Sequence, residues 1–126
     1  MKKLKKIKKT FTPELANSSG VKIKVYFNGH MIGAGKMQLI QLINLKGSIS
    51  SAAKTMGMST KRADKLLKSL EEAFADPVVI KQKGNKGTII SKFGMELLDK
   101  YLNLCHDLSE ESEDFITWAI SKQTVK

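Results

Sequence analysis

The sequence has a single cysteine, Cys105, among 126 residues. That excludes an internal disulfide and any cysteine-built zinc cluster, and it suits a reducing cytoplasm. Long apolar runs are missing as well: none reaches 18 residues, and Leu4 and Ile7 stand alone among the first lysines. Neither a membrane span nor a secretory signal is expected, and the protein reads as soluble and cytoplasmic. Histidines number two, His30 and His106, in different elements and with no ligand spacing around either. No nucleophile with an acid–base partner accompanies them, so the sequence points to no enzyme, no bound metal and no cofactor. Cys105 falls on the apolar side of the last helix, in surroundings with nothing to lower a thiol pKa, and reads as a small core or interface residue.

Acidic residues are also in short supply, 12 Asp and Glu against 22 Lys and Arg, for a formal charge of +10 and a pI near 9.7. Such a surface attracts polyanions, nucleic acid or an anionic membrane, and repels other basic proteins. The excess is uneven. Lys2, Lys3, Lys5, Lys6, Lys8 and Lys9 carry six of the ten charges, leaving +4 for the rest. A lysine run of this kind reads as a solvated, disordered arm that binds phosphates without sequence preference. The remaining length, with 41% hydrophobic residues overall, is enough for one ordinary core and leaves no room for a second ligand-binding domain.

Residues 10–20 mix turn formers with few apolar side chains and read as a linker. Val21, Ile23, Val25 and Phe27 then alternate with polar or amphipathic neighbours, the period of a half-buried strand that stops at Asn28-Gly29. Residues 30–35 read as a loop. From Lys36 the period changes, and Met37, Leu39, Ile40, Leu42, Ile43 and Leu45 predict a strongly apolar helix closed by Lys46-Gly47. Ser50 can cap a two-turn helix with Ile49, Ala52, Ala53 and Met56 inward, ended by Gly57. Ser59 can cap a longer one over residues 60–74, where Ala63, Leu66, Leu67, Leu70 and Phe74 make one apolar stripe. Asp76-Pro77 stops it. Residues 78–83 and 88–91 are β-prone and flank the tight connection Gly84-Asn85-Lys86-Gly87, so they predict a hairpin with a basic tip. Ser91 can cap a last long helix, in which Leu97, Tyr101, Leu104 and Leu108 follow the 4-3-4 spacing of a coiled-coil seam. Leu98, Leu102 and Cys105 form a second apolar line. Two lines exceed what one small domain needs, and a partner chain explains them economically. Continued past residues 109–114 the seam meets Phe115 and Trp118; the acidic stretch there could equally be a turn between two helices.

The expected fold is therefore mainly α with a small β component. Helix, short helix, longer helix and hairpin is the order of a winged helix-turn-helix, a three-helix core with a β-hairpin wing, here with an N-terminal strand and a long C-terminal dimerisation helix. Residues 1–20 form the arm and linker, 21–91 the DNA-binding domain and 92–126 the dimerisation segment. The first turn of the reading helix holds Thr60, Lys61 and Arg62, and Arg and Lys suit guanine O6 and N7. Arg62 is the first candidate for a base contact. Lys65 and Lys68, farther along, suit phosphates sooner than bases, Ser50 and Ser59 are further DNA-binding candidates, and Asn85 and Lys86 on the wing can reach the flanking backbone or a minor groove. Asp64 is unfavourable near phosphate unless it pairs with Lys61 or Lys68 or accepts from a cytosine amine. Each basic stripe could instead be only a solvated face. Gly33-Ala34-Gly35-Lys36 is partly like a phosphate loop, but His30 and Met37 stand at two of its required positions, and the match is set aside.

Gly47-Ser48-Ile49-Ser50-Ser51-Ala52-Ala53-Lys54, Met56-Gly57-Met58-Ser59-Thr60-Lys61-Arg62-Ala63, the Gly-Asn-Lys-Gly wing and Ser91-Lys92-Phe93-Gly94 together resemble the N-terminal domain of ModE-type, molybdate-responsive regulators. The likeness covers about residues 22 to 108. It implies a homodimer that binds a palindromic operator, with the helix after the wing contributing to the dimer. LysR-type regulators have a similar winged module. Thr60 and Asp64 stand where the family commonly has aromatic residues, so the operator sequence is not carried over. Full ModE regulators carry C-terminal oxyanion-binding domains, for which these residues have no room, so molybdate sensing is not carried over and any effector is unknown. The expected partners are double-stranded DNA and a second copy of the chain, with no membrane. The rival expectation is a winged helix used as a protein-interaction module, with the lysine arm as a solubility or membrane-surface device.

Overall fold

A computed structural model describes residues 20–84 and 86–123; the basic arm, most of the linker and Asn85 at the hairpin tip lie outside these residues. The fold is mainly helical with two small antiparallel strand pairs. In chain order it runs β1 (Val25–Phe27), β2 (His30–Ile32), α1 (Ala34–Lys46), α2 (Ile49–Thr55), α3 (Thr60–Glu71), β3 (Val79–Lys81), β4 (Thr88–Ile90), α4 (Lys92–Glu111) and α5 (Glu113–Ser121). Among the described residues no helix is long and apolar enough to cross a membrane.

The first departure from expectation is β2. Asn28 (φ 47°) and Gly29 (φ 83°) both take positive φ, the requirement of a two-residue hairpin turn whose twist matches its strands. The chain therefore doubles back, and Tyr26 faces Met31 and Phe27 faces His30 where a loop was expected. Only Val25–Phe27 of the anticipated longer strand is paired, because β2 offers three residues before Gly33 opens α1. Helix α1 starts at Ala34, two residues before Lys36. It packs against α2, α3, α4 and β4, so side chains on several of its faces are buried, Met37, Leu39, Ile40 and Ile43 completely. Leu45 is the exception, 74% exposed, and does not belong to the core its spacing suggested.

Helix α2 is capped by Ser48, not Ser50. Ser48 is extended and its Oγ accepts from the Ser51 amide at 3.0 Å, whereas Ser50 is already inside the helix. Ile49, Ala52 and Ala53 are buried as the pattern required. Helix α3 ends at Glu71 rather than Phe74. The Glu71 carboxylate accepts from the amides of Val78 (2.7 Å) and Val79 (3.1 Å), which pulls the following chain back across the helix end. Phe74 leaves the helix and packs its ring near Phe27 and Phe93, at centroid distances of 5.6 and 5.1 Å.

Ser91 joins the last strand to α4. Its Oγ accepts from the Gly94 amide at 2.9 Å and donates to the Pro77 carbonyl at 2.6 Å, capping the helix and fixing the start of β3 together. Gly94 lets α4 pass close to that strand: a Cβ there would sit 2.5 Å from the Val78 carbonyl oxygen. Leu98, Tyr101 and Leu102 then complete the core. At Ser112 the helix breaks, its Oγ donating to the Ser109 carbonyl at 2.8 Å, and α5 continues with no buried residue. The acidic stretch is thus a junction between two helices.

Candidate nucleic-acid interface

The outward face of α3 follows from the spacing of its apolar residues. Ala63, Leu67 and Leu70 recur at intervals of four and three and are buried in the helical core. Thr60, Lys61, Arg62, Lys65 and Lys68 are all exposed. Lys61, Lys65 and Lys68, again four and three apart, form one line along the helix. Asp64 is exposed too, and among the described residues no ion pair joins it to Lys61 or Lys68.

A tight turn sets where this helix begins. The Gly57 amide donates to Lys54 O and the Met58 amide to Ala53 O, each at 3.0 Å, which closes α2. Ser59 follows in an extended conformation, its Oγ accepting from the Arg62 amide at 3.1 Å. No acid stands in the first turn of α3; Lys61 and Arg62 stand there instead. A helix N-terminus carries roughly half a positive charge, so it favours acidic neighbours and disfavours basic ones. The stability of α3 does not account for cations at this end. Ser50 lies in the first turn of α2, exposed, with its Oγ 3.5 Å from that of Ser48.

The second basic element is the β3–β4 hairpin, where Lys81, Lys83 and Lys86 are exposed. Val79 pairs with Ile90, Ile80 with Ile89 and Lys81 with Thr88, and the Gln82 amide donates to Gly87 O at 2.8 Å across the tip. The hairpin packs on α1 through β4, and the Thr88 amide donates to the Gly47 carbonyl at the end of that helix at 2.9 Å. Gly87 makes this approach possible: its φ is +87°, and a Cβ there would collide with that carbonyl oxygen. The hairpin is thus carried by α1, while the Glu71 carboxylate ties its start to α3, at the opposite end of that helix from Lys61 and Arg62.

The expected dimer seam divides in two. Tyr101 turns inward, 5% exposed, because its hydroxyl donates to the Ile23 carbonyl at 2.7 Å and so ties the segment before β1 onto α4. It belongs to the core of the chain itself, which corrects its assignment to a surface seam. Leu97 is half-buried on the same core. Leu104, Leu108, Phe115 and Trp118 are exposed, the last two at 67% and 57%, with their rings paired at 5.9 Å. Ile120, half exposed on another face of α5, lies outside the heptad spacing. Burial pushes the pKa values of both Tyr101 and Cys105 upward, so the thiol is held in its unreactive form. No ligand spacing surrounds His106 in the sequence. The helix nevertheless brings His106, Asp107 and Glu110 together, their ligand atoms within 4.8 Å of one another, on a face largely open to solvent.

No protein-family model matches the chain, and no curated protein matches it in sequence.

Proposed function

We propose that the chain is a winged helix-turn-helix protein that binds double-stranded DNA as a homodimeric transcriptional regulator of the ModE-like kind. Helix α3 enters the major groove, and the β3–β4 wing lies on the flanking backbone or in the minor groove. The observation that carries this reading is the first turn of α3. Ser59 caps the helix, and Lys61 and Arg62 stand exposed where the helix dipole disfavours them and where a reading helix meets base edges. Arg62 reads a guanine, and Lys61 assists it. Lys65 and Lys68 neutralise phosphates, together with Lys86 on the wing. The exposed apolar residues of α4 and α5, Leu104, Leu108, Phe115 and Trp118, supply the dimer contact. The protein acts by binding and not by catalysis, in the cytoplasm.

Binding-site selection with the purified full chain, followed by titration against the selected duplex and an unrelated one, tests this. Arg62→Ala is expected to weaken binding to the selected site by about 1–3 kcal/mol and to leave the unrelated duplex nearly unaffected. Affinity for both should fall with salt at a log-log slope of about 0.9 per phosphate neutralised. Failure to bind any duplex at low salt would leave the protein-interaction module as the reading that survives.

A further inference from the structure

A cavity of about 250 Å³ lies between the β1–β2 hairpin, α1 and the end of α3. Gly29, His30 and Met31 line it from the hairpin, Lys36 from α1, and Ser69 and Ala73 from α3 and the turn after it. Lys36 reaches across this space. Its Nζ donates to the Met31 carbonyl at 3.1 Å and to the Ser69 hydroxyl oxygen at 3.2 Å.

Two features of this arrangement point to a ligand. An ammonium has three N–H donors, and the two partners seen leave one over. Both partners are neutral, no acidic side chain lines the cavity, and among the described residues no carboxylate forms an ion pair with Lys36. Lys36 is partly buried, with its contact to Ser69 open to solvent, and neutral acceptors do not cancel its charge. Ser69, having accepted from Lys36, still has its own O–H to donate. His30 completes the polar wall, its ring 6.0 Å from that of Phe27. The volume falls just below the roughly 300–1,000 Å³ of pockets that hold drug-sized molecules, so the space suits a small ligand.

We infer that this cavity is a binding site for a small oxyanion of the phosphate class, with Lys36 as its charge partner and Ser69 as a hydroxyl donor. The ligand bridges the hairpin, α1 and α3. The site is independent of the DNA-binding reading, since it uses none of the residues on the outward basic face of α3 or on the wing.

The test is an NMR titration of the full chain with sodium phosphate against sodium chloride at equal ionic strength, with melting temperature as a second readout. Saturable shifts are expected at the amides of Gly29, Met31, Lys36 and Ser69, with a phosphate-specific rise in melting temperature. Lys36→Met should weaken the effect about tenfold or more, as loss of a hydrogen bond to a charged group does. Lys61→Gln with Lys65→Gln should leave it intact. If Lys36→Met melts too low to titrate, Ser69→Asp decides: a carboxylate beside Nζ would satisfy the cation and abolish phosphate binding. Shifts confined to the outward lysines of α3 or the wing, no response beyond that to chloride, or phosphate affinity unchanged in Lys36→Met or Ser69→Asp each overturn the proposal and leave Lys36 as a strut between elements.

Discussion

The Thr88 amide and the Gly47 carbonyl meet at 2.9 Å, a hydrogen bond that joins the packing of β4 on α1 in holding the basic hairpin to the first helix. The contact depends on the residue before Thr88. Gly87→Ala places a methyl group against Gly47 O on a backbone with φ of +87°, so both space and conformation oppose it. A loss of about 1–3 kcal/mol is expected, with faster amide exchange at Thr88 and Gln82. Unchanged exchange at both amides would mean that the hairpin is held in some other way.

Serines separate capping from exposure. Ser48→Ala and Ser59→Ala each remove an acceptor for a helix amide and should cost about 1 kcal/mol in denaturant unfolding. Ser50→Ala should stay within about 0.5 kcal/mol of the parent, as surface changes do. If Ser50→Ala cost as much as Ser48→Ala, α2 would begin two residues later than the structure places it.

The cap error shows how far local pattern reaches. Helices α1, α2 and α3 and the β3–β4 hairpin were legible because buried residues recur at helical spacing and Gly-Asn-Lys-Gly punctuates the strands. Ser48 and Ser50 are chemically equal candidates, and only the backbone conformation chooses between them. The His30–Ile32 strand was hidden because its partner strand is three residues long and its signal lay in the turn, Asn28-Gly29. Tyr101 keeps seam spacing, yet its fate was decided by the carbonyl of Ile23, 78 residues away. Glu71 shortens α3 through amides that no helical periodicity encodes. In the candidate site, the capped basic turn of α3 was readable, whereas the Lys36 cavity needs three elements brought together.

Glu71 offers a direct check of the end of α3. Its carboxylate serves two backbone amides, and hydrogen bonds to a charged group are worth about 1.5–3 kcal/mol each in favourable settings. Glu71→Ala should lower stability by about 1–3 kcal/mol and speed exchange of the Val78 and Val79 amides, and on the proposed function it should leave duplex affinity unchanged. Equal stability of Glu71→Ala and the parent would show that Pro77 alone turns the chain.

Tyr101 and Cys105 predict an alkaline limit. Burial raises both pKa values, and the nearby Cys105 thiol raises Tyr101 further. The folded state thus holds these protons more tightly than the unfolded chain, whose thiol titrates near 8.5 and phenol near 10. Their contribution is complete below the unfolded values and is lost as pH rises toward the folded ones. Melting temperature should therefore decline above about pH 8.5. The part above about pH 10 should shrink in Tyr101→Phe, and Cys105 should alkylate more slowly in the native chain than in urea. Equal alkylation rates would place the thiol in water.

The C-terminal helices predict a concentration-dependent dimer that can be separated from folding. Leu104 and Leu108 lie one turn apart on α4 and Phe115 and Trp118 one turn apart on α5, each 39–67% exposed, and exposed apolar surface on this scale usually marks an interaction site. The buried residues of α4 all precede Leu104, and α5 buries none. Ending the chain after Cys105 therefore removes Leu108, Phe115 and Trp118 and leaves the core complete. Sedimentation equilibrium should show the full chain associating and the shortened one monomeric, with cooperative unfolding retained. Phe115→Ser with Trp118→Ser should shift the equilibrium the same way without shortening the chain. On the proposed function, in which two copies read two half-sites, either change should weaken binding to a palindromic duplex far more than to a single half-site. A dimer that persists after truncation moves the interface off α4–α5, and the exposed edge of β1 becomes the next place to look.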